Sequence, residues 1–368
     1  MKILMYGKYK PFRSNGVYTA IEHLTKSLVT AGHQVHILNP SSKVSLKNSE
    51  FCKKNGFRLS TCRGLFGFWS IINFFLVLYN FRPDVIHFQY VRYPSQLLVV
   101  IICKCLGIYQ ILSVHDGYSK GYFQKNPLKK YVYFYIVDFW MLNLVDHVHC
   151  VSLREQQDLE RWTFNKHKFT IIQNVYVSDA AMVPPISQRG FSFSFLGRVD
   201  VVHKNLTYQA ELIDHIAPRL GQKDFHLCGP LRNENVNIIA DLNSSLGIDL
   251  ILHEPMFGSD KSRYLQNSKL FMHASKWELF GYSMLEAIDA GCHLVISRNC
   301  DLLNILQDQP FVSVLSGDFG EDQKVLLEAI DLLETDCLHH KNRGDFLQQF
   351  NNSSILESYE KMYHGATV

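Results

Sequence analysis

The feature that most constrains this chain is an alternation that runs along it twice. Short apolar runs rich in branched and aromatic residues are each followed by a stretch with apolar residues at helical spacing. In the first half the pattern predicts strands at 2–6, 34–38, 84–88, 110–114, 147–151 and 168–172. Helices are expected between them at 16–31, 64–80, 94–106, 127–145 and 152–162. Helix 16–31 carries Val17, Ile21, Leu24 and Leu28 on one face, and Gly32 follows where a glycine C-cap belongs. Residues 40–63 read as a polar loop holding Lys43, Lys47, Lys53, Lys54, Arg58 and Arg63.

Residues 176–190 contain Pro184-Pro185 and few apolar anchors, which marks a linker. The pattern then restarts. Strands are predicted at 191–196, 224–228, 249–253, 270–273 and 293–297, with helices at 205–217, 232–245, 259–267 and 282–290. The end of the chain, about 319–363, reads as mostly helical. Strands buried on both faces with intervening helices form parallel, doubly wound sheets. The expected fold class is therefore α/β, with two Rossmann-like doubly wound domains facing a central cleft. Ligands in such sheets bind outside the carboxyl ends of the strands.

A length of 368 residues suits two domains. Charge divides along the same line. Residues 1–180 hold 22 Lys+Arg against 10 Asp+Glu, and residues 181–368 hold 15 against 24. Either the two halves attract each other or the basic half faces an anionic membrane or substrate. The nine cysteines form no C-x2-C pair, so they read as reduced thiols in a cytoplasmic protein. Met1 to Tyr6 reads as a strand rather than as the apolar region of a signal peptide. The uncharged run Gly64 to Phe81 only just reaches the ~18 residues of a membrane span. Ser70, Asn73 and Asn80 interrupt it, so a buried or interfacial helix is expected. Residues 131–145 pose the same question, and Asp138 counts against a span there.

The chemistry-bearing residues fall at strand ends. Strand 191–196 ends in Gly197-Arg198, and Lys204 follows just before a helix. Two cations there suit a diphosphate. Glu278 lies in the loop after strand 270–273, and Gly281 opens the next helix, whose free N–H groups can take an anion. A carboxylate at Glu278 can accept hydrogen bonds from sugar hydroxyls. Glu286, further along that helix among Met284, Leu285, Ala287 and Ile288, could hold a vicinal diol. His115-Asp116-Gly117 follows strand 110–114; His115 is either structural or faces the cleft. Asn15-Gly16 occupies the first loop-to-helix junction, where glycine lets backbone approach a phosphate or an acceptor. The first turn lacks G-x-G-x-x-G, which weakens a nicotinamide or flavin reading, and no ligand cluster suggests a metal. No cofactor, metal or nucleic-acid partner is expected.

Together these elements resemble the GT-B glycosyltransferases, in particular glycosyltransferase family 4. The resemblance covers nearly the whole chain. It rests first on the E-x7-E stretch from Glu278 to Glu286, within Ser275-x-x-Glu278-x-Phe280-Gly281-x-x-x-Leu285-Glu286-Ala287-x-x-Ala290-Gly291. Gly197-Arg198 with Lys204, Pro83-Asp84-Val85-Ile86-His87, His115-Asp116, Gly32-His33-x-Val35 and Gly229 support it. The chain departs from the family pattern at Asn15, Asn205 and Val175, where glycine is common, and at Gln89, where a second histidine is frequent.

The resemblance implies metal-independent transfer of a hexose-type sugar from a nucleotide-diphosphate sugar, with retention of configuration. The acceptor would be a glycan or a lipid-linked saccharide, in bacterial surface polysaccharide synthesis. Alternatives are a non-catalytic nucleotide-sugar-binding relative and a GT-B-like nucleotide-sugar epimerase or hydrolase. By position, Arg198 and Lys204 would bind the diphosphate, Glu278 the sugar hydroxyls and Glu286 the ribose. Gly197 belongs to the same donor turn, and the amides around Phe280, Gly281 and Tyr282 would contact sugar and phosphate. His115 would hydrogen-bond the donor sugar, and Gly16 would approach the phosphate. The leaving diphosphate itself would help deprotonate the acceptor. Residues 1–175 would form the acceptor-side domain, residues 176–352 the donor domain, and residues 353–368 a helix returning to the first. The basic half, its loops and the aromatic helix 64–81 make the inner face of the cytoplasmic membrane, an anionic surface, a candidate partner.

Overall fold

A computed structural model of the chain describes every residue except 14, 41–44, 62–67, 90–93, 116–117, 119–125, 179–182, 221–222, 335–340 and 366–368. Asp116, Gly117, Lys43, Arg63, Lys120, Lys125 and the start of the helix expected at 64–80 thus lie outside the described residues. The first half runs β1 (Lys2–Gly7), α1 (Gly16–Thr30), β2 (Gln34–Asn39), α2 (Leu46–Lys54), β3 (Arg58–Thr61), α3 (Phe68–Phe81), β4 (Val85–Gln89), α4 (Pro94–Cys105) and β5 (Tyr109–Ser113). It continues through α5 (Pro127–Tyr133), a π-helical turn (Phe134–Asp138), α6 (Phe139–Leu144), β6 (His147–Cys150), α7 (Leu153–Glu160) and β7 (Phe169–Ile171).

These strands form one seven-stranded sheet in the order β3-β2-β1-β4-β5-β6-β7, parallel throughout. Successive side chains of a strand point to opposite faces. Leu4 and Tyr6 accordingly join one core with Ile86, Phe88, Phe74 and Met141, while Ile3 and Met5 join the other with Ile21, Leu24 and Leu28. Burying one such side chain contributes ~1.5–3 kcal/mol, so the alternation leaves little freedom of register.

The sheet corrects one sequence expectation. The polar loop over 40–63 contains α2 and β3. Both carry weak patterns for a physical reason. In α2 only Cys52 is buried, and the helix starts from a Ser45 cap that accepts the Asn48 N–H at 3.2 Å. β3 is a sheet edge paired only with β2, so four residues with one apolar member, Leu59, suffice. The helix expected over 127–145 is broken by the π turn, which carries one extra residue per turn. Phe134 and Val137 thereby face the same core as Met141 and Leu142.

The second half comprises β8 (Phe191–Leu196), α8 (Leu206–Leu220), β9 (Asp224–Cys228), α9 (Asn233–Ser245), β10 (Asp249–His253), α10 (Ser259–Gln266) and β11 (Ser268–His273). Then follow α11 (Tyr282–Asp289), β12 (His293–Ser297), α12 (Leu303–Leu306), β13 (Val312–Leu315), α13 (Phe319–Glu334), α14 (Lys341–Gln348) and α15 (Ser353–His364). The six-stranded sheet has the order β10-β9-β8-β11-β12-β13, again parallel. β13, a four-residue edge strand, was not anticipated from the sequence. In each sheet one strand, β1 or β8, has neighbours reached in opposite directions, which makes a topological switch point at its carboxyl end.

The contacts divide the chain into two units. One comprises Met1–Pro11, Val17–Val177 and Phe350–Val368, and the other Phe12–Gly16 and Ser178–Gln349. The terminal helix α15 belongs to the first. Tyr363 Oη donates to His87 Nδ1 at 2.9 Å, and His87 Nε2 meets Ser113 Oγ at 2.7 Å. Ser113 Oγ meets His149 Nδ1 at 2.6 Å, and His149 Nε2 donates to the Ile172 carbonyl at 2.8 Å. A carbonyl can only accept, so the end of the chain fixes every tautomer back to Tyr363. Burial lowers His87 well below its usual pKa and His149 to about 4, so both rings are neutral.

Candidate active site

A cluster of charged side chains lies at the carboxyl ends of β8 and β11, the switch point of the second sheet. Gly197, at φ 152°, follows directly on β8, beside Gly229, which follows β9. A Cβ on Gly229 would stand 1.9 Å from the Gly197 carbonyl oxygen, so no other residue fits there. The two turns run on together, with Val199 N donating to the Pro230 carbonyl at 3.0 Å. Arg198 projects from this ledge with its side chain 45% exposed, and Asp200 Oδ2 lies 3.6 Å from it. Arg232, from the β9 turn, reaches the same Asp200 oxygen at 3.6 Å.

Asp200 also shapes the turn that presents Lys204. Its carbonyl accepts Lys204 N–H at 2.8 Å, and its Oδ1 accepts His203 N–H at 3.1 Å. The chain then enters α8 through Asn205 at φ 54°. That is the left-handed region, where Asn is the side chain tolerated best after glycine. A glycine, which the resemblance would lead one to expect here, would tolerate the same backbone.

Lys204 Nζ donates to Glu278 Oε2 at 2.6 Å, with only 11% and 19% of the two side chains exposed. Buried His273, the last residue of β11, places Nε2 at 3.1 Å from the same oxygen. Burial by itself would raise the Glu278 carboxyl. The Lys204 charge and the His273 hydrogen bond outweigh it and hold the group well below the usual carboxylate range. His273 is pushed down by burial, against the pull of Glu278. A neutral ring donating Nε2–H to a carboxylate satisfies both.

The loop carrying Glu278 is fixed along its length. Glu278 N–H donates to the Asn299 carbonyl and its own carbonyl accepts from Asp301 N–H, both at 3.0 Å. On the other side Lys276 N–H donates to the His203 carbonyl at 3.0 Å. His203 Nε2 donates to the Trp277 carbonyl at 3.1 Å, and the two rings lie 4.3 Å apart. Burial first, and then the Lys204 charge, lowers His203 to about 4. These contacts join the two loops that carry Lys204 and Glu278. Gly281 then opens α11 at φ 67°, where a Cβ would meet Met284 Cε at 2.3 Å and Glu278 Cγ at 3.1 Å. Phe280 and Tyr282 flank it, both buried, with ring centroids 4.9 Å apart. Further along α11, Glu286 Oε1 accepts from Lys261 Nζ of α10 at 2.7 Å.

The structure therefore brings Lys204 and Glu278 into contact, adds His273 beneath them, and pairs Glu286 with Lys261. Arg198 stands apart, against Asp200. His273, Lys261, Asp200, His203 and Arg232 were not singled out from the sequence. His273 carried a signal there, as a polar residue ending an apolar strand five positions before Glu278. In the first unit, His115 follows β5 at φ 54°, an uncommon conformation for a residue of its size. Its Nε2 donates to Gln89 Oε1 at 2.8 Å, which leaves Nδ1 as an acceptor. Burial, with a contribution from His149, lowers its pKa to about 3, so the ring is neutral. Gln89 thus serves as the partner of His115 where relatives often carry a histidine. Gly16 opens α1, and a Cβ there would meet nothing within 4 Å. Charged donors beside acceptor carboxylates, as in the second unit, suit a ligand with both phosphates and hydroxyls.

Comparison with known proteins bears on the family and the fold. The model of Glycosyltransferase Family 4 matches residues 14–176, and that of Glycosyl transferases group 1 matches residues 190–334. No curated protein matches the chain by sequence. Among solved structures, HepE of Anabaena in complex with UDP-glucose aligns with a TM-score of 0.73 at 14% identity, over 98% of this chain and 99% of that one. Sucrose-phosphate synthase of Thermosynechococcus elongatus aligns with a TM-score of 0.71 at 14% identity, over 99% of each chain. WaaG, a glycosyltransferase involved in lipopolysaccharide biosynthesis, aligns with a TM-score of 0.66 at 14% identity, also over 99% of each chain. At such identities the structural matches speak for the fold, while the two family models between them span most of the sequence. The chain belongs to glycosyltransferase family 4 and is a glycosyltransferase of the GT-B fold.

Proposed function

We propose that this glycosyltransferase moves a hexose-type sugar from a nucleotide-diphosphate sugar to a glycan or lipid-linked saccharide, with retention of configuration. The observation that carries the reading is the Lys204–Glu278 pair at the switch point of the second sheet. Its ionised carboxylate accepts hydrogen bonds from sugar hydroxyls. Lys204 spends one N–H on Glu278 and keeps two for the diphosphate. Exposed Arg198 adds a planar fork that fits phosphate oxygens. Glu286, oriented by Lys261, takes the ribose diol.

In this mechanism the bond from the anomeric carbon to the diphosphate breaks while a bond to the acceptor oxygen forms on the same face. The acceptor's proton passes to the leaving phosphate oxygen. Negative charge grows on the diphosphate, and Arg198 and Lys204 stabilise it there without a metal. The neutral His115 ring hydrogen-bonds the donor sugar. HepE, with the same fold, has been solved with UDP-glucose, which supports a nucleotide-sugar donor here. A thermal-shift panel of nucleotide diphosphates and their sugars identifies the donor, since a ligand of the native state raises its stability. Product anomer analysis by NMR then checks retention. Full transfer activity in both Lys204→Ala and Glu278→Gln would sink the site.

The acceptor is reached at an anionic membrane surface on the cytoplasmic side. Tyr79 of α3, Leu98 and Ile101 of α4, and Tyr135, Ile136 and Trp140 are exposed on helices whose opposite sides fill one core. Lys129 stands exposed on α5 beside them. No helix among the described residues is long and apolar enough to cross a membrane. Exposed aromatics beside basic groups suit an interface. Sedimentation with anionic vesicles is expected to carry the protein down at low salt, and a protein left in the supernatant refutes this part.

A further inference from the structure

The carboxylate of Glu278 is held unevenly. Both of its hydrogen-bond donors, Lys204 Nζ at 2.6 Å and His273 Nε2 at 3.1 Å, meet the single oxygen Oε2. No hydrogen bond among the described residues reaches Oε1. The two donors differ in stiffness. A lysine is a point charge on a flexible four-carbon stem and sets little direction. His273 ends β11 and is 1% exposed. Its ring lies in a layer with Phe195 of β8 and Phe271 of its own strand, centroids 6.4 and 6.2 Å away, with planes tilted by 14° in each case. The ring cannot follow the carboxylate, so the carboxylate follows the ring.

The proton on that ring is placed by its surroundings. Nδ1 is buried and meets no hydrogen-bond partner. A proton there would be a buried donor left unsatisfied, and Nε2 would turn a lone pair on the carboxylate. A proton on Nε2 removes both costs, and Ser275 Oγ, 3.3 Å from the same nitrogen, adds a second, longer contact. An imidazolium would again strand an N–H on Nδ1, and burial disfavours its charge. Neutral His273 is thus a donor of fixed position and direction.

We infer that His273 is a positioning residue of the donor site, pinning Glu278 by Oε2 so that Oε1 keeps both lone pairs for the hydroxyls of the donor sugar. The inference rests on the proposed reading of this site. It divides the work on one carboxylate: Lys204 supplies charge, and His273 supplies direction.

The first test needs no donor. The Glu278 carboxyl is titrated by carbon NMR in the natural chain and in His273→Phe, which keeps a flat ring in the aromatic layer. Loss of the His273 hydrogen bond is expected to raise the carboxyl pKa, and an unchanged titration overturns the inference. Should His273→Phe fail to fold, nitrogen NMR of the natural chain decides: a proton on Nε2 of His273 is expected, and one on Nδ1 overturns it. The second test uses the nucleotide sugar picked out by the thermal-shift panel. In His273→Phe, kcat/KM is expected to fall ~10–100-fold. Affinity for the matching nucleotide diphosphate, which carries no sugar, is expected to stay natural. His273→Gln, whose Nε2 reaches the place of the ring nitrogen, is expected to recover most of the loss. A ring needed only for packing would weaken both ligands and would not be rescued by glutamine. Full activity in His273→Phe beside an inactive Glu278→Gln overturns the inference. Full activity in Glu278→Gln and Lys204→Ala overturns the reading of the site instead, and the titration still judges the contact.

Discussion

The carboxyl ends of the two sheets are furnished in opposite ways. At the second sheet the polar groups are charged and paired across loops: Lys204 with Glu278, Lys261 with Glu286, Arg198 beside Asp200. At the first they are neutral rings and hydroxyls handing hydrogen bonds along a buried line, with His115 bonded to Gln89. Charge held at a rim can exchange an internal partner for a ligand's phosphate. A neutral buried network can only orient. Under the proposed function, the difference would give anion recognition to the second unit and positioning to the first.

Removing the cation from the charged end is the strongest way to break the comparison. Lys204→Ala is expected to lower kcat/KM by ~100–1,000-fold, the usual effect of losing one charge-stabilising donor. It also leaves Glu278 buried with only His273. The carboxyl then rises, because burial is no longer opposed by the lysine. In the natural chain the folded pKa of Glu278 is depressed. The pair therefore stabilises the fold above the usual carboxylate pKa and loses that contribution as pH falls through the lowered value. The variant should lack this contribution at neutral pH, and denaturant unfolding at pH 7 and pH 3 would compare the two chains. An equal pH dependence in both would remove the pair from the account.

At the neutral end, His115→Ala should cost less, ~10–100-fold in kcat, with nucleotide-diphosphate affinity unchanged. Loss of affinity for the free nucleotide diphosphate would show instead that the first unit shares the anion work. Steady-state kinetics together with calorimetric titration separates the outcomes.

Much of this contrast could be read from the residues before the fold was known. Apolar strand runs and the E-x7-E spacing carry strong local signals, and they led to Glu278, Glu286, Arg198 and Lys204. The pairing partners were harder to see. Lys261 meets Glu286 only because α10 and α11 pack side by side, and nothing in a 25-residue separation announces that. The His87–Ser113–His149 line takes one residue from each of β4, β5 and β6. Its members become neighbours only through sheet order. β3 and β13 escaped notice because an edge strand needs a partner on one side only and tolerates a polar sequence.

The neutral line offers a third, smaller effect. Tyr363→Phe removes the hydroxyl that donates to His87 Nδ1 and leaves a buried acceptor unmet, at a cost of ~1–2 kcal/mol. The pH dependence of the line can be signed. His149 falls from the ordinary 6.5 to about 4 in the fold, so the unfolded chain takes up its proton first. Stability is fully present above pH 6.5 and declines as the pH falls towards about 4. Hydrogen-exchange protection across 353–364, corrected for the intrinsic rate at each pH, should fall over that interval. Protection that is constant from pH 7 to pH 4 would mean the rings do not anchor the terminal helix.

The smallest effect bears on two of the residues held in the left-handed region, one beside each sheet. His115 and Asn205 share a φ of 54°. An alanine has no side chain to compensate the left-handed backbone, which costs it ~1–2 kcal/mol. Asn205→Ala should therefore destabilise by about 1 kcal/mol, and Asn205→Gly should restore or slightly exceed natural stability, with turnover close to natural. His115→Gly relieves the same backbone but deletes the ring, so its stability should hold while its turnover falls as in His115→Ala. Thermal midpoints and rates for these variants separate strain kept for shape from strain kept for chemistry. If Asn205→Gly also loses turnover, the asparagine side chain has a role at the donor turn beyond tolerating its backbone.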